Sequence, residues 1–313
     1  MAEATTPSPG RVVILGVFVA DTAYRAARQP RMGETILGEG FALGPGGKAS
    51  NQAVAAARAG GEAHILTKLG RDPFGEMALA IWREAGVRSA ATLHDEATGA
   101  AYIFVDAETG DNAIIICPGV AGTLSPEDVE ARAALVRGAR VAMTQLEQPI
   151  PAARRFLEIA REGAAVTILN PAPAADLPDG MLALCDHVTP NESEAEGLTG
   201  VAIRDLADAE AAARRLIERG AGAATITLGE RGALFVGGAR VEHVPALSAG
   251  PVVETTGAGD AFNGAFAVAL ARGDDPVAAV RFGCAAAAIS VTRAGTAPSM
   301  PRLAEIERLL ASG

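Results

Sequence analysis

Short runs of aliphatic and β-branched residues alternate along most of the chain with longer stretches whose apolar positions recur at helical spacing. Val12–Leu15, His64–Leu69, Val141–Gln145, Val166–Leu169, His187–Thr189 and Ala224–Leu228 read as strands. Strands separated by helical patterns are the signature of βα units, so this order predicts an α/β fold on a mainly parallel sheet. Two helices have legible starts. Ser125-Pro126-Glu127-Asp128 offers an N-cap, a proline at the first position and acids in the first turn, and Asp205 opens an alanine-rich run through Arg219. Two stretches break the rhythm: Glu34–Leu43, and Ala101–Val105 with Ala113–Cys117, are short extended segments with turn residues such as Glu108–Asn112 between them. Antiparallel pieces inserted into a parallel body usually form a separate small sheet, and a lid over a site is a common use. With no internal repeat and no low-complexity linker, the reading is one domain over residues 1–313, with a β lid at approximately 19–44 and 98–121.

Composition narrows the class. A chain of 313 residues with 49% hydrophobic and 20% charged positions folds unaided around a core. Its 27 basic and 37 acidic residues give a net charge of −10, which argues against a nucleic-acid partner, since neutralising phosphates takes a basic face. Lys48 and Lys68 are the only lysines, which draws attention to Lys48 beside a glycine cluster. No apolar run has the length of a membrane span, and Met1–Gly10 lacks the basic end and apolar core of a signal peptide, so the expected location is the cytoplasm. Cys117, Cys185 and Cys284 are odd in number and far apart; they read as buried thiols rather than disulfides or zinc ligands.

Three segments carry candidate chemistry. Glu254-Thr255-Thr256-Gly257-Ala258-Gly259-Asp260 precedes the small-residue helical run Ala261–Ala271. Glycines at a helix start let successive N–H groups converge on an anion at the positive end of the macrodipole. A carboxylate at Asp260 would repel that anion unless it accepts a proton from a hydroxyl attacking it; a glycine loop with a dipole-favoured acid is the plainer alternative. Gly44-Pro45-Gly46-Gly47-Lys48-Ala49-Ser50-Asn51-Gln52 is not a P-loop, which requires glycine at Ala42 and Ser or Thr at Ala49. It reads as a close backbone approach to a polar ligand with Lys48 and Asn51 donating, or as a glycine turn capped by Ser50. Thr189-Pro190-Asn191-Glu192-Ser193-Glu194 reads as a capping box, or as a site for the water shell of magnesium at the sheet edge. Asn170-Pro171-Ala172-Pro173 and Thr227–Gly232 end strands at that same edge. His64, His94, His187 and His243 form no catalytic or metal-binding motif.

Taken in order, these segments resemble the ribokinase family of ATP-dependent carbohydrate kinases over nearly the whole chain. Gly47–Val54 is similar to its N-terminal signature and Thr256–Gly264 to its C-terminal one; Asn170–Ala174 and Thr189–Glu192 resemble ribokinases more closely than the wider family. The resemblance implies a Rossmann-like, three-layer sheet flanked by helices with a β lid, often shared across a homodimer interface. It implies Asp260 as catalytic base and the amides of Gly257, Ala258 and Gly259 as an anion hole. Asp21, Gly47, Lys48, Asn51 and Glu147 match sugar-binding positions, with Val19 beside them. Asn191, Thr227, Gly229, Gly232, Gly259 and Cys284 match the ATP site, and Glu194 lies near a Mg2+ held through water. Glu254, Thr256, Ser290, Arg293, Gly295 and Ser299 correspond to a K+ loop. The sequence departs from the pattern in four places. Glu254 replaces the usual aspartate, and Val19 stands where ribokinases place a sugar-binding Asn. Pro118-Gly119-Val120-Ala121 lacks the Asn after its glycine, and Ala49-Ser50 follows Lys48 in place of Gly-Ala. The expected activity is transfer of the γ-phosphoryl group of ATP to a primary hydroxyl of ribose or a related pentose such as 2-deoxyribose. A nucleoside kinase, a nicotinamide-dependent dehydrogenase and a non-catalytic sugar-binding protein are the alternatives, which sugar-dependent ATP turnover would separate.

Overall fold

Seven strands run parallel through the centre of the molecule. In the computed structural model, which describes residues 10–312, their spatial order is Ala223–Thr227, His187–Val188, Val166–Leu169, Val141–Thr144, Arg11–Leu15, Glu62–Leu66 and Arg88–Ser89. Ala233–Gly237 and Arg240–Val244 extend the sheet antiparallel beyond the first of these. Along Arg11–Leu15 the side chains alternate between two cores: Val12 and Ile14 pack on one side, Val13 and Leu15 on the other. The first core is covered by helices Lys48–Arg58, Pro73–Ala85, Ala258–Arg272 and Pro276–Ser290, the second by Ile150–Glu162 and Leu206–Glu218. Three layers result. The chain leaves Arg11–Leu15 toward Glu62–Leu66 on one side and reaches Val141–Thr144 later on the other, so a crevice opens beyond the carboxyl ends of these strands.

Helices Lys48–Arg58 and Ala258–Arg272 are both rich in small residues and lie unusually close. A Cβ on Gly264 would sit 2.5 Å from the Gln52 carbonyl oxygen, so only glycine permits this approach. That contact brings Asn51 and Gln52 on one helix against Asp260 on the other.

A second sheet holds Gly40–Gly46, Val19–Ala26, Thr98–Asp106 and Asn112–Gly119, in that order. Its two faces differ. On one, Tyr24 lies 5.1 Å from Phe41 and 5.6 Å from Tyr102, ring centre to ring centre, in an exposed apolar surface with Leu43 and Ile115. The other carries Val19 and Asp21, opposed across the ladder by Gly46, Gly99 and Gly44.

The expectations hold for the Ser125 and Asp205 caps; Ser125 and Asp128 form a reciprocal capping box. Others need correction. Glu34–Leu43 is not one extended segment: Arg28 grips both carboxylate oxygens of Glu34 (2.7 and 2.6 Å) and the Arg31 N–H donates to it, which folds the loop locally, and the strand begins at Gly40. His64–Leu69 is broken at Thr67, after which Lys68–Gly70 pairs with Thr92–His94 in its own ribbon. Ser50 caps nothing; it lies inside its helix and accepts a hydrogen bond from Trp82 Nε1 at 2.9 Å. Cys117 is exposed on an edge strand, whereas burial pushes the thiols of Cys185 and Cys284 up to about 12. Among the described residues no helix is long and apolar enough to cross a membrane. The stretch read for a signal, Met1–Gly10, lies outside the described residues except for Gly10.

Candidate active site

Gly47 starts the site. Its backbone has φ +84° and ψ 124°, and a Cβ there would lie 2.5 Å from the Val17 carbonyl oxygen and 2.9 Å from Phe18 Cα. The helix Lys48–Arg58 therefore begins pressed against the chain leaving Arg11–Leu15. Its first N–H, from Lys48, donates to Glu147 Oε2 at 2.8 Å. A carboxylate from beyond Val141–Thr144 thus caps this helix across the crevice, where the macrodipole favours negative charge.

Asp260 sits in the first turn of Ala258–Arg272, behind Gly257 at φ +84°. Each carboxylate oxygen receives an amide: Asn51 Nδ2 donates to Oδ2 and Gln52 Nε2 to Oδ1, both at 3.0 Å. The N–H groups of Gly257, Gly259 and Asp260 have no acceptor among the described residues. A Cβ on Gly259 would meet nothing within 4 Å, so open space lies over that backbone. The Ala258 N–H differs from expectation: it donates to the Thr255 carbonyl at 3.1 Å and is committed to the turn. Free amides at a helix start, beside a carboxylate, can hold an anion while a proton is taken from whatever attacks it.

Charge is unevenly distributed here. Burial raises the pKa of Asp260, against the pull of Lys48 and its two amide donors. Burial and the Asp260 charge push Asp21 up to about 6, and burial pushes Glu147 up to about 7 although Lys48 opposes it. Glu194 is raised by burial as well. Burial works against the charge on Lys48, yet Asp260, Glu147 and Glu194 together hold its pKa above that of an ordinary lysine. One half-buried ammonium thus faces three carboxylates, Asp260, Glu147 and Glu194, all of which burial pushes upward.

On the far side of the crevice, Asn191 and Glu194 form a reciprocal capping box, with Asn191 N to Glu194 Oε2 at 2.9 Å and Glu194 N to Asn191 Oδ1 at 2.8 Å. Asn191 bridges to Thr227 on the neighbouring strand. Gly229 has φ +57° above open space, while Gly232, φ +90°, leaves no room for a Cβ against Val244. Cys284 packs into the core of Pro276–Ser290. No group of three or more His, Cys, Asp or Glu side chains among the described residues forms a metal cage. The single carboxylate of Glu194 therefore fits a Mg2+ held through waters and phosphate oxygens.

The segment 253–256 meets 290–299. Glu254 Oε2 accepts the Gly295 N–H at 2.8 Å, and the Glu254 N–H donates to Val291 O. The hydroxyls of Ser290 and Ser299 turn to the carbonyls of Ala287 and Thr296, and Arg293 pairs with Glu305. Thr296 Oγ1 ties the loop to Pro45 O at 2.7 Å. Each serine hydroxyl spends its hydrogen on a carbonyl and keeps its oxygen lone pairs, so these hydroxyls, backbone carbonyls and the second Glu254 oxygen are donors this loop can offer a monovalent cation.

Several residues of the site escape a reading of the sequence. Gln145 donates to Gln52 Oε1, Gln148 donates to Thr144 Oγ1, and Asn263 Nδ2 donates to Gly259 O at 2.8 Å. A signal existed for Asn263 alone: it is a polar residue within an otherwise apolar, buried helix, one turn from Asp260.

The sequence profile of the pfkB family of carbohydrate kinases matches residues 11–303. Ribokinase of Haemophilus influenzae is 36% identical over 292 residues, 93% of this chain and 95% of that protein. Deoxyribokinase of Salmonella typhi is 34% identical over 302 residues, 96% of this chain and 98% of its own. The structure of Arabidopsis thaliana ribokinase complexed with ribose and ATP superimposes with a TM-score of 0.87 at 29% identity, covering 96% of this chain and 98% of that one. A profile running from the first strand of the large sheet to the start of the last helix, with relatives matched along almost the whole length, places the protein in the pfkB family of carbohydrate kinases.

Proposed function

We propose that the protein transfers the γ-phosphoryl group of ATP to the primary hydroxyl of ribose or 2-deoxyribose, with Asp260 as the base. The observation that carries this reading is the pairing of Asp260 with unbonded amides in one helix turn. The sugar oxygen forms its bond to the γ-phosphorus as the bond to the bridging β-oxygen breaks, and the hydroxyl proton passes to the Asp260 carboxylate. The Gly257 and Gly259 amides hold the transferring group, and Lys48 offsets charge beside it. Asp21, Lys48, Asn51 and Glu147 orient the sugar; the buried Asn51 Oδ1, unpartnered among the described residues, is an acceptor for one of its hydroxyls. Asn191, Thr227, Gly229, Gly232 and Cys284 border the nucleotide. Mg2+ near Glu194, when bound, neutralises phosphate charge.

The chain acts as one unit over 1–313, with the small sheet as lid. Its exposed apolar face, with Phe41 60% and Ile115 63% accessible, pairs two copies into a homodimer. Dependence on ATP supports the cytoplasmic location expected of the sequence.

Val19 selects the sugar. It lies two residues from Asp21 on the same face of one strand and is buried. An amide at this position would strand its polar groups if the sugar hydroxyl were missing, whereas valine strands nothing. The expected result is a kcat/KM for 2-deoxyribose at least equal to that for ribose, with Val19→Asn moving the ratio toward ribose by about tenfold, the value of one hydrogen bond. A wild-type preference for ribose that Val19→Asn leaves unchanged would remove this residue from specificity. No sugar-dependent ATP turnover at all would remove the function.

The loop around Glu254 gives a second expectation. Potassium held by carbonyls near Thr256 and Ser290, with Glu254, Arg293, Gly295 and Ser299 around it, orders the segment that leads into Gly257. Turnover in sodium-free buffer should then rise several-fold on adding KCl at matched ionic strength. Equal rates would show that Glu254, already bonded to Gly295, has ended the dependence.

A further inference from the structure

The side-chain amide of Gln52 is saturated, and the direction of every hydrogen bond around it is fixed by a backbone group. Thr189 O can only accept, so Asn170 turns its Nδ2 to it (3.0 Å) and its Oδ1 toward Gln52. Gln52 must then present its NH2 group there, at 3.0 Å. The second hydrogen of that same NH2 points to Asp260 Oδ1, also at 3.0 Å, and Gln145 Nε2 occupies the Gln52 carbonyl oxygen from behind. Gln52 is completely buried, so no water competes for it. The sense of the chain, from the carbonyl at the end of one strand to the carboxylate on a different helix, has no alternative.

From this we infer that Gln52 is the positioning residue of Asp260: it fixes the carboxylate's rotation and keeps it ionised, and it does so without touching sugar or nucleotide. The inference rests on Asp260 being the base. Asn51 differs from Gln52 in that its own buried carbonyl oxygen has no partner among the described residues, so its hydrogen bonds are not all spent on holding Asp260. The charged groups facing Asp260 are Lys48 from the same helix as Gln52, Asp21 from the small sheet, Glu147 from beyond Val141–Thr144 and Glu194 from the helix after Asn191. Gln52 bonds none of these four, so its loss acts on Asp260 directly and reaches Asp21 and Glu147 only through the charge on Asp260.

Gln52→Met keeps the volume and removes both donors. A donor to the ionised form lowers a carboxylate's pKa, so its loss shifts the acid limb of kcat upward by about one pH unit, and the freed rotation of the carboxylate lowers the plateau kcat by about tenfold or more, with KM for ATP unchanged. Gln52→Glu, which keeps the shape, places a second carboxyl against Asp260; the pair shares a proton, and the limb moves further in the same direction. This variant carries the test if Gln52→Met does not fold, as judged by circular dichroism. A folded variant whose kcat falls with an unshifted acid limb would make Gln52 a packing residue only and overturn the inference. An active Asp260→Asn enzyme would instead overturn the assignment of the base, a separable result.

Discussion

Asp260→Asn is expected to lower kcat by about 100-fold or more, the usual contribution of a positioned base, while sugar and ATP affinities stay within several-fold. The substitution keeps the shape but removes the ability to take a proton. It also turns an NH2 group toward one of two amides that already donate, Asn51 or Gln52, so one hydrogen bond to the side chain is lost as well. Binding suffers less than chemistry, because Asp21, Lys48, Asn51 and Glu147 remain. Single-turnover kinetics at saturating ATP, with equilibrium binding of each ligand measured separately, give the comparison. Retention of more than about a tenth of the wild-type kcat would remove Asp260 from the role.

Gly47→Ala should damage both stability and activity, and a control at another glycine separates the causes. Gly47 and Gly86 share almost the same positive φ, +84° and +83°, but Gly86 is left-handed at ψ 16° with nothing within 4 Å of a Cβ, whereas Gly47 lies at ψ 124°, outside the left-handed region, so its backbone adds to the cost of its contacts. Gly86→Ala therefore carries only the conformational cost of about 1 kcal/mol. At Gly47 the new methyl meets three backbone atoms, Val17 O at 2.5 Å, Phe18 Cα at 2.9 Å and Val19 N at 3.0 Å, none of which can swing aside as a side chain would. Relief must come from moving either the start of the Lys48 helix away from Glu147 or the strand that carries Val19 and Asp21. A fall in Tm of about 5 °C or more, well beyond that of Gly86→Ala, is expected. kcat/KM for the sugar should fall about tenfold or more at Gly47 alone. Equal Tm and equal activity in the two variants would show that the close approach at Gly47 is relaxed at no cost.

How much of this was legible depended on whether the cause was local. Val12–Leu15 and Val166–Leu169 are visible because a strand covered on both faces is apolar at nearly every position; the exception, Thr167, gives its hydroxyl to Leu184 O. Gly40–Gly46 is not, because three glycines and a proline carry no strand preference; it exists through pairing with Val19–Ala26, and Pro45 is tolerated on an edge. Arg88–Ser89 is too short to have a pattern at all. Within the site, Gly257 and Asp260 could be read because an anion hole is made by consecutive residues at a helix start. Gln145 could not: its partner Gln52 is 93 positions away, and only the folded sheet brings them together. Cys117 was misread for the same reason, since a thiol's usual burial says nothing about a strand left at a sheet edge.

The strand Val19–Ala26 also limits how this chain can change in length. Because successive side chains alternate sides, one inserted or deleted residue ahead of Asp21 would carry its carboxylate to the aromatic side and deliver a neighbour into the crevice. The loop that follows has no such constraint. Met32 and Leu37 are almost wholly exposed, and Gly33 meets no neighbour, so residues can be added there without shifting the register on either flank. Length variation among related chains should accordingly collect between Ala27 and Glu39 and be absent from the eight residues before it.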